Sequence, residues 1–186
     1  MNLLYPRLSR ALWPRMFGYA IVGALVAGSY GMLHDEITFT LSSEYFTRLK
    51  FAQFGYADFG LPPRVFVAEI GFLATWWVGL MAGWFLARMV IPSFPPSVAR
   101  RRAGRGFVIV FAAAFSGAII GWFTGRIGSF TPEHSGLAEL AAARGVRDVE
   151  GFVRVAYIHN CGYAGALVGL VLAVLCAIKS RTNCRE

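Results

Sequence analysis

Four ionisable residues that bracket long apolar runs are the strongest candidates for chemistry in this sequence. They are His34, Glu69, Arg126 and His159. Each lies 19 to 21 residues from a basic residue at the other end of its run, which at about 1.5 Å per residue is roughly the thickness of a bilayer's hydrocarbon core. The spacing predicts that these four side chains form an outer polar ring at one depth. Ionisable groups at such a depth are treated first as functional candidates.

Three more polar residues, Asp35, Glu36 and Asn160, are sequence neighbours of this outer polar ring. Helix geometry leaves open whether the ring converges on one site. At about 100° per residue, Glu69 and His159 point away from the small residues at their own level, whereas His34 lies near Gly31 and faces inward. Such side chains also reach water from an interface at little cost. A convergent site and a splayed, solvated ring are therefore both retained.

Two histidines at one depth offer imidazole nitrogens to a metal. His34 and His159 are therefore candidate ligands of haem b or of a transition metal. No His-x-x-His, Glu-x-x-His or Cys-x-x-Cys pattern accompanies them, so we predict no cofactor and keep haem or a metal as the alternative. The competing expectation is a His159 that hydrogen-bonds to a carboxylate or to the backbone.

Spacing alone identifies no catalytic machinery. The sequence has no nucleophile beside a base at a diagnostic spacing and no glycine-rich phosphate loop. Asp35, Glu36 and Glu69 are the acid–base candidates. Cys161 and Cys176 are 15 residues apart on one predicted helix, roughly 22 Å, which is too far for a disulfide. We predict no catalytic residues, and a non-enzymatic protein is the favoured expectation.

Four apolar segments must position these residues. The chain of 186 residues is 56% hydrophobic and 15% charged, with a mean hydropathy of +0.54, which is too apolar for an ordinary soluble domain. We predict an all-α membrane protein, a single four-transmembrane-helix bundle covering residues 1–186. The predicted spans are about 17–33, 65–91, 106–126 and 153–178, with structured outer loops at 34–64 and 127–152 and an inner loop at 92–105.

The charge distribution predicts the orientation. Eleven of the 18 lysine and arginine residues lie in the N-terminus, the middle loop and the C-terminal tail, together with one acid, Glu186. By the positive-inside rule both termini and the arginine-rich segment 100–105 are cytoplasmic, so we expect a multi-pass protein of a bacterial cytoplasmic (inner) membrane. The basic residues behind the net charge of +8 are then expected to orient the chain in the membrane and to contact anionic lipid. Nucleic acid is not an expected partner.

The two outer loops carry signals of local structure. Residues 37–41 alternate between apolar and polar types, which predicts a short extended segment, and Ser42 then begins a helix with an aromatic face. In the second loop, Thr131 as N-cap and Gly145 as stop predict a short helix. Asp148 is the predicted cap of the helix that follows.

Small residues recur every four positions in all four predicted spans. The pattern is clearest as Gly71, Thr75, Gly79 and Gly83 in the second span and as Gly117, Gly121 and Gly125 in the third. Because lipid tails are as apolar as leucine, helices in a membrane associate through the close backbone approach that such faces allow. We predict a tight bundle with little central cavity, in which these faces pack within the chain.

Two segments resemble small bacterial four-span membrane proteins. One is His34-Asp35-Glu36-Ile37-Thr38 with Glu44-Tyr45-Phe46-Thr47, which is similar to a His-Asp-x-x-Thr…Glu-Tyr-Phe-Thr pattern of that group. The other is His159, Asn160 and Tyr163 at the start of the last span. Some of these proteins have a further histidine where this chain has Lys50, which weakens the metal interpretation. The resemblance implies a membrane location and names no activity.

The leading functional prediction is a non-enzymatic accessory subunit that docks a membrane partner or a second copy through its outer aromatic and acidic surface. The candidate contact residues are Glu44, Tyr45, Phe46, Phe51, Phe54, Tyr56 and Phe59. The competing expectation is that these aromatics are buried in the protein's own cap or in the headgroup layer. Two other functions are retained: a small transporter or ion pathway that uses the outer polar ring, and the haem or metal protein described above.

Overall fold

The computed structural model describes residues 9–130 and 136–182, without side-chain detail for residues 128–130, 181 and 182. Every regular element in these ranges is helical. In chain order the elements are a 3-10 turn (Arg10–Leu12), α1 (Trp13–Leu41), α2 (Ser43–Tyr45), a π-helical turn (Phe46–Lys50), α3 (Phe51–Gln53), a 3-10 turn (Gly55–Ala57), α4 (Pro63–Val90), α5 (Pro96–Phe130), α6 (Gly136–Ala143) and α7 (Val149–Thr182). The predicted N-cap Thr131 and the tail residue Glu186 lie outside the described residues.

Helices α1, α4, α5 and α7 are each long and apolar enough to cross a membrane. All four begin before the predicted spans, and all but α4 also end beyond them. Residues 34–41, predicted as part of an outer loop, are the last turns of α1, and the arginine-rich segment 100–105, predicted as part of an inner loop, lies within α5. Polar and basic residues therefore occupy regular helix ends.

The predicted extended segment at 37–41 is wrong. Burial in this part of α1 follows the helical period, with Gly31, Asp35 and Thr38 on the inner face. The hydroxyl of Thr38 donates a hydrogen bond to the carbonyl oxygen of His34 at 3.0 Å, a back-bond that accommodates threonine within a helix. Five alternating residues were too few to outweigh this continuation of the apolar helical pattern.

The four long helices pack as two tight pairs, α1 with α4 and α5 with α7. Glycine, which has no side chain, occupies positions where the backbones of paired helices cross. A Cβ added to Gly31 would overlap the carbonyl oxygen of Gly71, and one added to Gly117 would overlap the carbonyl oxygen of Cys161. The prediction that the small-residue faces pack within the chain is confirmed.

Packing between the two pairs is much sparser than packing within them. A small cavity and a lateral groove lie there instead. The predicted tight packing is therefore found within each pair and not between the pairs, because the small-residue faces form the seams of the pairs. The space between the pairs is where polar groups of different helices meet.

Short helices and loops form a cap over one end of the two pairs. Its buried core consists of Tyr45, Phe46, Leu49, Val67, Ala141, Val146, Phe152, Val155 and Ala156. The carboxylate of Glu44 fastens the cap to α7, since it accepts the backbone N–H groups of Arg147 at 3.0 Å and Asp148 at 2.7 Å. Asp148 in turn accepts the N–H of Gly151 at 2.9 Å, so the predicted helix cap is confirmed. Gly145 has a φ of +64° just after α6, which fits its predicted role as a helix stop.

Candidate functional site

A histidine–aspartate–histidine cluster lies beneath the cap, where the two helix pairs meet. His34 and Asp35 are on α1, and His159 is on α7, 124 residues beyond Asp35. Asp35 and His159 are 3% and 2% exposed. One potential ligand atom from each of the three side chains lies within 4.8 Å of the others. Side chains of both pairs thus converge at a buried point.

His159 makes two hydrogen bonds that define its protonation pattern. Its Nδ1 lies 2.9 Å from the carbonyl oxygen of Val155, and its Nε2 lies 3.1 Å from Oδ1 of Asp35. A carbonyl oxygen only accepts, so Nδ1 carries a hydrogen and donates it. Nε2 and Oδ1 then face each other with one proton between them, on the imidazole or on the carboxyl group. The expected hydrogen bonding of His159 to a carboxylate and to the backbone is confirmed.

Other polar atoms of the cluster have no hydrogen-bond partner among the residues that the structure describes. Among residues 9–130 and 136–182, Oδ2 of Asp35 is buried and makes no hydrogen bond. Within the same ranges, the ring nitrogens of His34 are in no hydrogen bond, and its ring contacts are aromatic. Buried polar atoms in native proteins are nearly always paired. Oδ2 of Asp35 is therefore the atom expected to engage a ligand, and the ring nitrogens of the half-buried His34 are available beside it.

The three side chains form part of the wall of a cavity of about 60 Å³. The rest of the wall is mostly apolar and includes Ala27 and Phe111. A water molecule takes up about 30 Å³ in the liquid, so the cavity suits an ion with one or two water molecules. It is far smaller than the pockets of about 300–1,000 Å³ that hold organic ligands.

Aromatic rings enclose the two imidazoles. The ring of Tyr45 stacks on His159 with centroids 5.0 Å apart, and the ring of Tyr30 stacks on His34 with centroids 5.7 Å apart. The two imidazoles meet edge to face, 4.8 Å between centroids. Burial raises the pKa of the Tyr45 hydroxyl, so this group stays protonated beside the cluster.

The π-helical turn brings Lys50 close to the same cluster. Its five-residue turn directs both Tyr45 and Lys50 inward, a local widening of a helix that is frequent at functional sites. The Nζ atom of Lys50 lies 5.9 Å from the centroid of the Tyr45 ring and 5.7 Å from that of Phe54. Burial lowers the pKa of Lys50, whereas the charge of Asp35 raises it. In the sequence Lys50 stands out only as a departure from the resembled pattern, because a π-helical turn has no signature in the residue types.

The remaining residues predicted for the outer polar ring do not join the cluster. Glu36 forms a salt bridge with Arg64 at 2.8 Å. Arg126 and Asn160 are exposed. Glu69 is half-buried on α4 and lies outside the histidine–aspartate–histidine group, and its Oε2 hydrogen-bonds to no residue that the structure describes.

The pairing of the helices explains how His159 keeps its predicted orientation and still joins the cluster. His159 does point away from the small-residue face of α7, as helix geometry predicted. That face is the seam with α5, where Gly117 contacts the backbone of Cys161. The opposite face of α7 meets α1, so pointing away from the small residues means pointing toward Asp35.

The structure also limits the predicted partner surface. Tyr45 and Phe46 are 5% and 0% exposed and belong to the core of the cap, so their assignment as contact residues is wrong. Glu44 is engaged in capping α7, and Phe51 and Phe54 are half-buried. Tyr56 and Phe59 are 77% and 75% exposed. Docking through this surface remains a prediction that now depends on these last two residues.

Two imidazoles and a carboxylate are ligands that zinc and other first-row transition metals accept. Ligand atoms about 2.0–2.2 Å from a shared ion stand roughly 3.0–3.4 Å apart at right or tetrahedral angles, and Nε2 of His159 and Oδ1 of Asp35 are 3.1 Å apart. The full set of three ligand atoms lies within 4.8 Å, so the side chain of His34 must move inward for all three to bind one ion. The Nδ1–H bond from His159 to Val155 is of the kind that orients metal-bound histidines. Comparisons with protein-family models, with curated proteins and with solved structures give no match. The function is therefore argued from these side chains.

Proposed function

We propose that the chain is a four-span membrane protein that binds one divalent transition-metal ion through His34, Asp35 and His159. The observation that carries the proposal is the convergence of these three side chains, from two separate helix pairs, on one buried cavity. The unpaired Oδ2 of Asp35 and ring nitrogens of His34 give an ion ligand atoms that no described residue uses.

Outward-facing apolar side chains support insertion in a bilayer. A third or less of the most apolar stretch of each long helix is buried within the protein. Leu33 and Ile37, for example, are 69% and 64% exposed. Apolar surface of this extent is unusual on a soluble monomer and is expected on a lipid-facing helix. The charge distribution supports cytoplasmic termini, and the resemblance to bacterial four-span proteins supports the inner membrane.

The geometry favours a metal ion over haem. The rings of His34 and His159 are in edge-to-face contact, which leaves no layer for a porphyrin between them. A cavity of about 60 Å³ also suits an ion rather than a macrocycle. Three protein ligands leave a coordination position open, as in sites that bind water or substrate on the metal.

Metal analysis of the purified protein tests this function. The detergent-solubilised protein is stripped with a chelator and dialysed separately against Zn²⁺, Mn²⁺ and Fe²⁺, the last without oxygen, and bound metal is measured by mass spectrometry. One ion per chain is expected for at least one metal. His34→Ala and His159→Ala are expected to lower the affinity at least about tenfold.

Glu36→Gln is the matched control, since Glu36 is next to Asp35 in sequence and is engaged with Arg64 on the surface. It is expected to bind metal like the wild type. Metal contents that are equal in the wild type and in both histidine variants, or that fall equally in the control, would overturn the proposal.

A further inference from the structure

A lateral groove of about 980 Å³ lies between α4 and α7, next to the cavity of the histidine–aspartate–histidine cluster. Trp77, Met81 and Phe85 of α4 and Leu170 of α7 contribute to its walls. On α4 the groove extends from Leu73 to Phe85, about 18 Å at 1.5 Å per residue. That length is more than half of a hydrocarbon core of about 30 Å.

One cation lies at the capped end of this apolar groove. Lys50 lines it and is 9% exposed. Within residues 9–130 and 136–182, its Nζ forms neither a hydrogen bond nor a salt bridge. Its close neighbours are the faces of two aromatic rings, which stabilise an ammonium group but do not neutralise it. A buried lysine without an anion in direct contact is rare.

We propose that the groove binds a long-chain fatty acid, with the hydrocarbon chain along α4 and the carboxylate at Lys50. The apolar walls match the chain, and the unpaired ammonium group matches the head. Tyr45 and Phe54 confine the space around Nζ, which favours a compact carboxylate over a bulky phospholipid headgroup. This inference is independent of the metal proposal, since none of the three candidate metal ligands lines the groove.

Quenching of tryptophan fluorescence tests the groove directly, because Trp77 is one of its walls. The probe is brominated stearic acid, added to the full-length protein in a detergent without bromine, and brominated methyl stearate is the uncharged control. Saturable quenching by the acid is expected at concentrations at least about tenfold lower than for the ester, because the ester lacks the charge-assisted contact. Trp77→Phe should remove most of the saturable signal.

Lys50→Met keeps an unbranched apolar side chain one atom shorter than lysine and removes its charge. It is expected to weaken quenching by the acid at least about tenfold, to the level of the ester, whereas Lys50→Arg retains tight binding of the acid. Equal quenching by acid and ester in the wild type would overturn the proposal without any variant. Equally tight quenching by brominated phosphatidylglycerol would also overturn it, in favour of an ordinary lipid site. His159→Ala should leave fatty-acid binding unchanged, which separates this result from the fate of the metal proposal.

Discussion

Replacing Asp35 with asparagine is expected to weaken metal binding at least about tenfold while leaving the protein almost as stable as the wild type. The contact between Asp35 and His159 requires one proton between Oδ1 and Nε2. Asparagine supplies that hydrogen from its own amide group and remains isosteric with aspartate. Asp35→Leu supplies no hydrogen and leaves Nε2 of a buried imidazole without a partner. The two variants therefore separate the structural role of residue 35 from its proposed role as a ligand.

The expected magnitudes follow from burial. An unpaired polar group in the interior costs about 1–3 kcal/mol, and His159 is 2% exposed. Asp35→Leu should therefore lower the free energy of unfolding by about 1–3 kcal/mol. Asp35→Asn should lower it by less than about 1 kcal/mol, because the hydrogen bond is kept. Both variants lose the carboxylate, so both should bind metal at least about tenfold more weakly.

Two assays on the same preparations measure these effects. Titration of the metal-free, detergent-solubilised protein with sodium dodecyl sulfate, followed by circular dichroism, gives the free energy of unfolding. Dialysis against metal gives the affinity, with Glu36→Gln as the control for a neighbouring carboxylate. If Asp35→Asn is as unstable as Asp35→Leu, the two groups form an obligatory ion pair and the shared-proton argument fails. If Asp35→Asn binds metal as tightly as the wild type, Asp35 is not a ligand.

Two further predictions concern the packing and the cap. Gly31→Ala should destabilise the protein by about 1–3 kcal/mol, because a Cβ there overlaps the backbone of Gly71. Gly104→Ala is the control, since a Cβ at Gly104 meets nothing within 4 Å. Equal unfolding curves for the two variants would contradict the tight seam between α1 and α4. The pKa of Glu44 is lowered by the hydrogen bonds that its carboxylate accepts from the backbone N–H groups of Asp148 and its neighbour. These hydrogen bonds therefore stabilise the folded protein at pH values above the ordinary pKa of about 4.5. The stabilisation is lost as the pH falls through the lower pKa of Glu44 in the folded protein. Melting temperatures of the wild type and Glu44→Gln should therefore differ at neutral pH and converge in acid, and a difference that persists unchanged in acid would refute this role.

The long helices were predictable because length and apolar composition are local properties of the chain. The rise of a helix and the thickness of a bilayer fix the spacing at which ionisable residues must recur. This spacing identified His34 and His159 as candidates. The small-residue faces were likewise visible in the sequence. Their use in the α1–α4 and α5–α7 seams follows from close backbone packing.

What the sequence could not supply was which helices pair. From the sequence, His159 was expected to point away from the small-residue face of its own helix, which left open whether it joins a convergent site. With the small-residue faces assigned to two separate seams, the same orientation directs it to Asp35. The hydrogen bond spans 124 residues of sequence, and no local pattern encodes such a contact. Tyr45 was misassigned for a related reason, because an aromatic residue in a loop-like segment suits a surface as well as a cap core.

X-ray absorption spectroscopy of the metal-loaded protein tests the central claim most directly, because it counts and identifies the atoms bound to the ion. The structure predicts two imidazole nitrogens at about 2.0–2.1 Å and at least one oxygen at about 2.0–2.2 Å, with the imidazole contribution halved in His159→Ala. A spectrum with oxygen neighbours alone, unchanged by that substitution, would place the metal elsewhere and contradict the proposed site.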